Sequence, residues 1–225
     1  MSVAPTTPTW PMYRTLVGVG MLCGLMIAVV YQGTRPVIER NRAAALERAV
    51  FAVLPAASSR VTFAVTPDGE FAVNPEAAGT RVHAGYDDAG ELVGVAIEAA
   101  GMGYADTITV LYGYAPRQEA IVGIRVLTSK ETPGLGDKIE KDPAFLENFV
   151  ALDVRLDATL AAVNNPIETV KRGEKTEPWQ IDGITGATIS SKAIGDMLAT
   201  SSARWVPLIN TRLEQLSRGG GDGGS

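Results

Sequence analysis

A chain of 225 residues has room for one membrane span and one globular domain of ordinary size, and it carries no internal repeat. With 25 Asp and Glu against 20 Lys and Arg, and no basic run able to neutralise a row of phosphates, the composition argues against nucleic acid as a partner. The single cysteine, Cys23, and single histidine, His83, exclude an intramolecular disulfide, a cysteine-ligated cluster and a histidine-rich metal site.

Residues 1–14 are interrupted by Pro5, Pro8 and Pro11 and carry Trp10 and Tyr13, aromatics of the kind that sit at a membrane interface. They read as a cytoplasmic N-terminal segment. The uncharged run at residues 15–34 is roughly 20 residues long, which as a helix matches a bilayer core of about 30 Å. Gly18, Gly20 and Gly24 lower its helix propensity and offer flat faces to neighbouring helices. A cleaved secretory signal has a shorter apolar core and a small-residue cleavage site, whereas this run leads straight into a helical pattern, so a retained anchor is expected. Arg14 precedes the span and Arg35, Arg40 and Arg42 follow it; counting basic residues alone places the following domain in the cytoplasm.

A connecting helix is expected over 35–56, where Val37, Ile38, Ala44, Leu46, Val50, Phe51 and Leu54 recur at helical spacing until Pro55. The domain proper follows at 57–218. Val61, Phe63 and Val65, then Pro67-Asp68-Gly69, then Phe71 and Val73 suit a hairpin. Strands are expected at 92–99, 107–114 and 120–127, and a short helix over 142–149 with Pro143 at its first position. A long final helix runs from Ile189 to about Leu216, with Ile194, Met197, Leu198, Trp205, Leu208, Ile209 and Leu213 on one stripe. Residues 219–225 read as a solvated tail. The predicted class is α+β: a transmembrane helix, then one domain with a twisted, mainly antiparallel sheet and flanking helices. His83 is expected near a turn, at the surface or half-buried, and Lys171 to Lys175 as a solvated loop. Trp179 is expected in the core or beside the motif that follows it.

That motif, Asp182 to Ser191 (DGITGATISS), packs small residues and four hydroxyls immediately before a helix. Small residues let backbone approach a ligand, and a helix N-terminus offers free N–H groups to an anion. The plainer alternative is that Thr188, Ser190 or Ser191 simply caps the helix. A second stretch, Lys130 to Lys138 (KETPGLGDK), has the composition of a tight loop: Pro133 fixes one turn position, and Gly134 and Gly136 permit positive φ and close backbone approach. A third, Gly101-Met102-Gly103-Tyr104, lies between two expected strands.

Thr185-Gly186-Ala187-Thr188, with Asp182 upstream and Ile-Ser-Ser-Lys after it, resembles the flavinylation motif of the G subunit of the Rnf ion-translocating electron-transport complex. It is also similar to that of the C subunit of the sodium-translocating NADH:quinone reductase. The resemblance implies that a dedicated flavin transferase, drawing on FAD, esterifies the phosphate of flavin mononucleotide (FMN) to the Thr188 hydroxyl. Asp182, Thr185, Gly186 and Ala187 would complete the signal, and Ser190, Ser191 and Lys192 would continue it. Glu131, Thr132, Gly134, Leu135 and Gly136 match the Glu-Thr-Pro-Gly-Leu-Gly signature of the same families and would contact the flavin, as would Tyr104 from the glycine-tyrosine loop. The Ile-Ser-Ser-Lys form favours the Rnf protein. So read, the chain is an electron-carrying subunit of a ferredoxin:NAD oxidoreductase complex in the cytoplasmic membrane, partnered by the other subunits and matured by the transferase. Its flavin domain is expected on the periplasmic side, against the charge count. The other readings are the quinone-reductase protein and an anchored binding or scaffold domain that is never flavinylated.

Overall fold

The computed structural model describes residues 9–66, 68–73 and 80–218. Most of the expected N-terminal segment, Pro67 of the expected hairpin turn and the tail at 219–225 lie outside the described residues. The chain divides into two compact units between Ala45 and Leu46.

The expected span and connecting helix form one helix, α1, over Thr9–Val53, with Pro36 inside it. Leu16, Leu22, Leu25, Ile27 and Val30 are all exposed, so the helix is apolar around its circumference, the pattern of a helix solvated by lipid. It is the one helix among the described residues long and apolar enough to cross a membrane. Pro36, exposed within this helix, has no N–H to give to the carbonyl one turn earlier.

In the second unit, β1 (Ser59–Val65), β2 (Phe71–Ala72), β3 (Thr80–Tyr86), β4 (Leu92–Met102), β5 (Thr107–Ala115), β6 (Ala120–Thr128) and β7 (Leu152–Asp153) build one sheet in the order β2-β1-β3-β4-β5-β6-β7. Every pairing in it is antiparallel. The two arms of the expected hairpin pair, Ala64 opposite Ala72 and Val65 opposite Phe71. A separate parallel pair joins β8 (Glu168–Val170) and β9 (Gln180–Asp182).

One sheet face buries Val82, Ile97, Ile108, Val110 and Tyr112 against Ile194, Leu198, Trp205 and Ile209 of helix α3 (Thr188–Thr211). Each such aliphatic side chain contributes about 1.5 to 3 kcal/mol on leaving water. The expected single final helix breaks at Arg212, whose N–H turns back to the carbonyls of Ile209 and Leu208, and α4 (Leu213–Arg218) follows. The short helix α2 (Pro143–Glu147) has Pro143 at its start and Asp142 as its cap, the Asp142 carboxylate accepting from Ala144 N–H at 3.0 Å.

The opposite face receives Ala49, Val50, Val53 and Leu54 from the end of α1, over Ala96 and Leu111. Glycines make this possible. Gly85 lies opposite Gly94 and Gly113 opposite Gly123 in the ladder. A Cβ at Gly113 would stand 2.2 Å from the Val53 carbonyl oxygen, and one at Gly123 would stand 2.8 Å from Val53 Cα. The sheet is therefore hollowed where the helix ends, and backbone meets backbone there.

His83 is neither near a turn nor at the surface. It sits in β3, 4 % exposed, with its Nδ1 2.9 Å from Thr62 Oγ1. Burial, reinforced by the positive charges of Arg60 and Arg81, pushes its pKa down to about 4, so the ring is neutral at pH 7. The sequence concealed this strand because Ala84 and Gly85 are weak strand formers, although Val82, Ala84 and Tyr86 keep the alternation towards the core.

Candidate functional site

The chain enters the motif from β9. Asp182 ends that strand with its N–H donated to Asn148 Oδ1 at 3.0 Å and its carbonyl accepting from Asn148 Nδ2 at 3.3 Å. The turn that follows uses Gly186 at φ +83°, a conformation that glycine adopts without a Cβ clash. Helix α3 starts at Thr188, and the residue before it, Ala187, has no side-chain cap to offer.

The three candidate capping hydroxyls are therefore not caps. Ser190 donates to Glu131 Oε2. Ser191 is buried; its hydroxyl donates to the carbonyls of Ala187 at 2.8 Å and Thr188 at 3.2 Å and accepts from Ile184 N–H at 3.3 Å. Thr188 is exposed at the first helical position, and among the described residues its hydroxyl has no hydrogen-bond partner. Thr185 is exposed one turn earlier.

The second motif folds back onto this helix start. Glu131 follows β6 and is 6 % exposed, its Oε1 accepting from Ala105 N–H at 2.9 Å and its Oε2 from Ser190. Burial pushes its pKa upward. The Ser190 hydroxyl and the N–H groups of Ala105, Tyr104 and Asp106 outweigh that and hold the carboxyl below its ordinary range, ionised at neutral pH. Gly134, at φ +80°, closes the turn by donating its N–H to Asp137 Oδ1 at 2.6 Å. The expectation of positive φ at Gly136 is corrected. Its backbone is ordinary, and glycine is required because a Cβ would lie 2.6 Å from Glu131 Oε2 and 3.0 Å from Ser190 Oγ.

Between the motifs lies a pocket of about 330 Å³. Glu131, Thr132, Leu135 and Gly136 form one side, and Gly186, Ala187, Thr188 and Ser190 the other. Tyr104 stands at its edge, 68 % exposed rather than in the core, with Leu135 at 51 % and Ile189 at 55 %. These three apolar side chains, a buried carboxylate and an available hydroxyl make a slot suited to a flat, partly apolar ligand tethered at one end. Ile189 was not singled out in the sequence; its exposure beside a buried helical stripe is the signal.

The structure separates the remaining expected residues from this pocket. Gly134 shapes the loop without lining it. Asp182 points away, its Oδ1 accepting from Gly173 N–H at 3.0 Å and Lys175 N–H at 3.1 Å. Thr185, Ser191 and Lys192 line a second cavity of about 450 Å³, which Thr188 also borders, together with Lys171 and Arg172. The 171–175 loop is solvated as expected, exposed from Lys171 to Glu174, and it also borders this cavity. Trp179 is half-buried and lines neither cavity.

Residues 103–201, which hold both motifs and Tyr104, match the FMN-binding domain family. Over 187 residues the chain is 32% identical to the G subunit of the ion-translocating oxidoreductase complex of Methanosarcina acetivorans, covering 82% of this chain and 87% of that one. The same-named protein of Haemophilus influenzae is 28% identical over 215 residues, covering 91% and 94%. Among solved structures, the C subunit of the Na(+)-translocating NADH-quinone reductase from Parabacteroides distasonis shares the fold, with a TM-score of 0.60 at 21% identity over 76% of this chain and 95% of that one. An FMN-binding match over both motifs, joined to a relative aligned along nearly its whole length, fixes the assignment: the chain belongs to the family of the G subunit of ion-translocating oxidoreductase complexes.

Proposed function

We propose that this protein is the membrane-anchored, electron-carrying flavin subunit of an ion-translocating ferredoxin:NAD oxidoreductase complex, with FMN joined through its phosphate to Thr188. The observation that carries this reading is the exposed Thr188 hydroxyl, unpartnered among the described residues at the place where both motifs converge, while Ser190 and Ser191 are consumed in internal hydrogen bonds. In the attachment step the Thr188 oxygen bonds to the flavin-side phosphorus of FAD as the pyrophosphate bond breaks. AMP leaves, and the hydroxyl proton is given up.

When bound, FMN supplies one- and two-electron chemistry between neighbouring carriers. The chain's residues supply position. Gly136, Gly186 and Ala187 keep the slot narrow, Tyr104, Leu135 and Ile189 give the ring apolar edges, and the Glu131 carboxylate fixes the helix start that bears Thr188. The exposed rim leaves the redox group within reach of a neighbouring protein of the complex.

The span is assigned to residues 15–34 and the flavin domain to the periplasmic side of the cytoplasmic membrane. Basic residues bias topology without fixing it, and assembly into a complex can impose the opposite orientation. The intact mass of the full-length protein, produced with and without a flavin transferase, tests the function: the mass should rise by one FMN less one water only with the transferase. Protease added to spheroplasts should trim the domain; protection there would place it in the cytoplasm.

A further inference from the structure

Thr188 borders two cavities, and the second differs from the flavin slot in its charge. Lys171, Arg172 and Lys192 line it against one carboxylate, Glu174. Lys192 lies one turn into α3 from Thr188, while Lys171 and Arg172 come from the loop after β8. Arg172 has one weak ion pair, 3.4 Å to Asp142, with the guanidinium half exposed.

The basic loop reaches this position because Asp182 holds it there. The loop turns through Gly173 at φ +84°, with Glu174 N–H donating to the Lys171 carbonyl at 2.9 Å. The Asp182 carboxylate takes the N–H groups of Gly173 and Lys175, and Gly183 N–H donates to the Val170 carbonyl at 2.9 Å. Asp182 thus ties the basic turn to the strand that leads into Thr188, without touching either cavity.

We propose that the second cavity is the phosphate subsite of the flavin site, in which Lys171, Arg172 and Lys192 bind the phosphoryl oxygens and Asp182 is the positioning residue that folds two of these cations against Thr188. The inference rests on the flavin reading above and adds a direction to it: the phosphate faces the basic cavity and the ring faces the slot of Tyr104, Leu135 and Ile189. Three exposed charge contacts, each worth a factor of about 1.5 to 5, give a preference for a phosphorylated flavin of about tenfold.

The test uses full-length Thr188→Ala protein in detergent, which has no acceptor hydroxyl, titrated with FMN and with riboflavin, which lacks the phosphate. At low salt FMN should bind about tenfold more tightly, and inorganic phosphate should compete with FMN but not with riboflavin. Adding Lys171→Ala, Arg172→Ala and Lys192→Ala should remove the difference while leaving riboflavin binding as it was. Asp182→Ala should shrink the difference with all three cations present, and Asp182→Asn, which keeps an acceptor oxygen for the two N–H groups, should restore it. Equal binding of FMN and riboflavin, no binding of either, or a preference that survives removal of the cations would overturn the subsite. Wild type co-produced with the transferase separates the two levels: covalent flavin without a phosphate preference sinks only the subsite, and no covalent flavin sinks the flavin reading.

Discussion

The Ser190 hydroxyl donates to the Glu131 carboxylate across 59 residues of sequence, joining the loop after β6 to the first turn of α3. The same carboxylate takes the Ala105 N–H from the β4–β5 turn, so three separate segments meet on one buried side chain. Truncating it leaves a buried hydroxyl and a backbone N–H unpaired, at a cost of about 1 to 3 kcal/mol. Glu131→Ala should therefore lower the unfolding midpoint of the full-length protein by several degrees and reduce flavin content, whereas Glu131→Gln, which keeps an acceptor for Ala105 and a polar group for Ser190, should lose much less. Equal damage from both substitutions would show that charge, not connectivity, matters here.

The two loop glycines should separate by phenotype. Gly134 has open space around its missing Cβ but a positive φ, so Gly134→Val strains the turn by about 1 to 2 kcal/mol and moves the loop, lowering electron transfer more than flavin attachment. Gly136→Val drives a branched side chain into Glu131 and Ser190, next to the acceptor, at about 1 to 3 kcal/mol of overpacking. It should lower attachment and electron transfer together. Measuring covalent flavin per protein beside electron transfer in the assembled complex distinguishes them, and identical losses in the two variants would count against these separate roles.

His83 gives the domain an acid sensitivity with a defined window. Its pKa of about 4 in the folded state lies below the ordinary 6.5, so the unfolded chain binds the proton first. The stabilisation from keeping the ring neutral is complete above pH 6.5 and is lost as pH falls towards 4, amounting to roughly 3 kcal/mol. Comparing unfolding midpoints at pH 7 and pH 5 should show a drop in wild type that His83→Gln largely lacks. An equal drop in both proteins would assign the sensitivity to other groups.

What the sequence revealed follows element length and periodicity. The strands around Val95, Val110 and Ile124 and the stripe from Ile194 to Ile209 are long enough for their spacing to declare them. The two- and three-residue strands at Leu152, Glu168 and Gln180 carry too few alternations to be read locally, and the strand bearing His83 is weakened by Ala84 and Gly85; tertiary pairing makes them. The glycines at 85, 94, 113 and 123 are explained by Val53 and Leu54, at and just after the end of α1, pressed against them. At the site, the two motif strings line one pocket with Thr188, Glu131 and Gly136. They could not show that Asp182 serves the 171–175 loop, because that relation exists only across the β8–β9 pair.

The bond at Thr188 is tested most directly by peptide mass mapping of full-length protein co-produced with the flavin transferase, beside in-gel fluorescence after denaturation. Wild type should yield one FMN-bearing peptide with the modification on Thr188. Thr188→Ser should label partially, since the hydroxyl persists with altered rotamer freedom. Thr188→Ala should give a folded, non-fluorescent protein, because its hydroxyl holds no hydrogen bond among the described residues whose loss would disturb the helix start. Covalent flavin undiminished in Thr188→Ala, or mapped to Thr185 in wild type, would contradict the account.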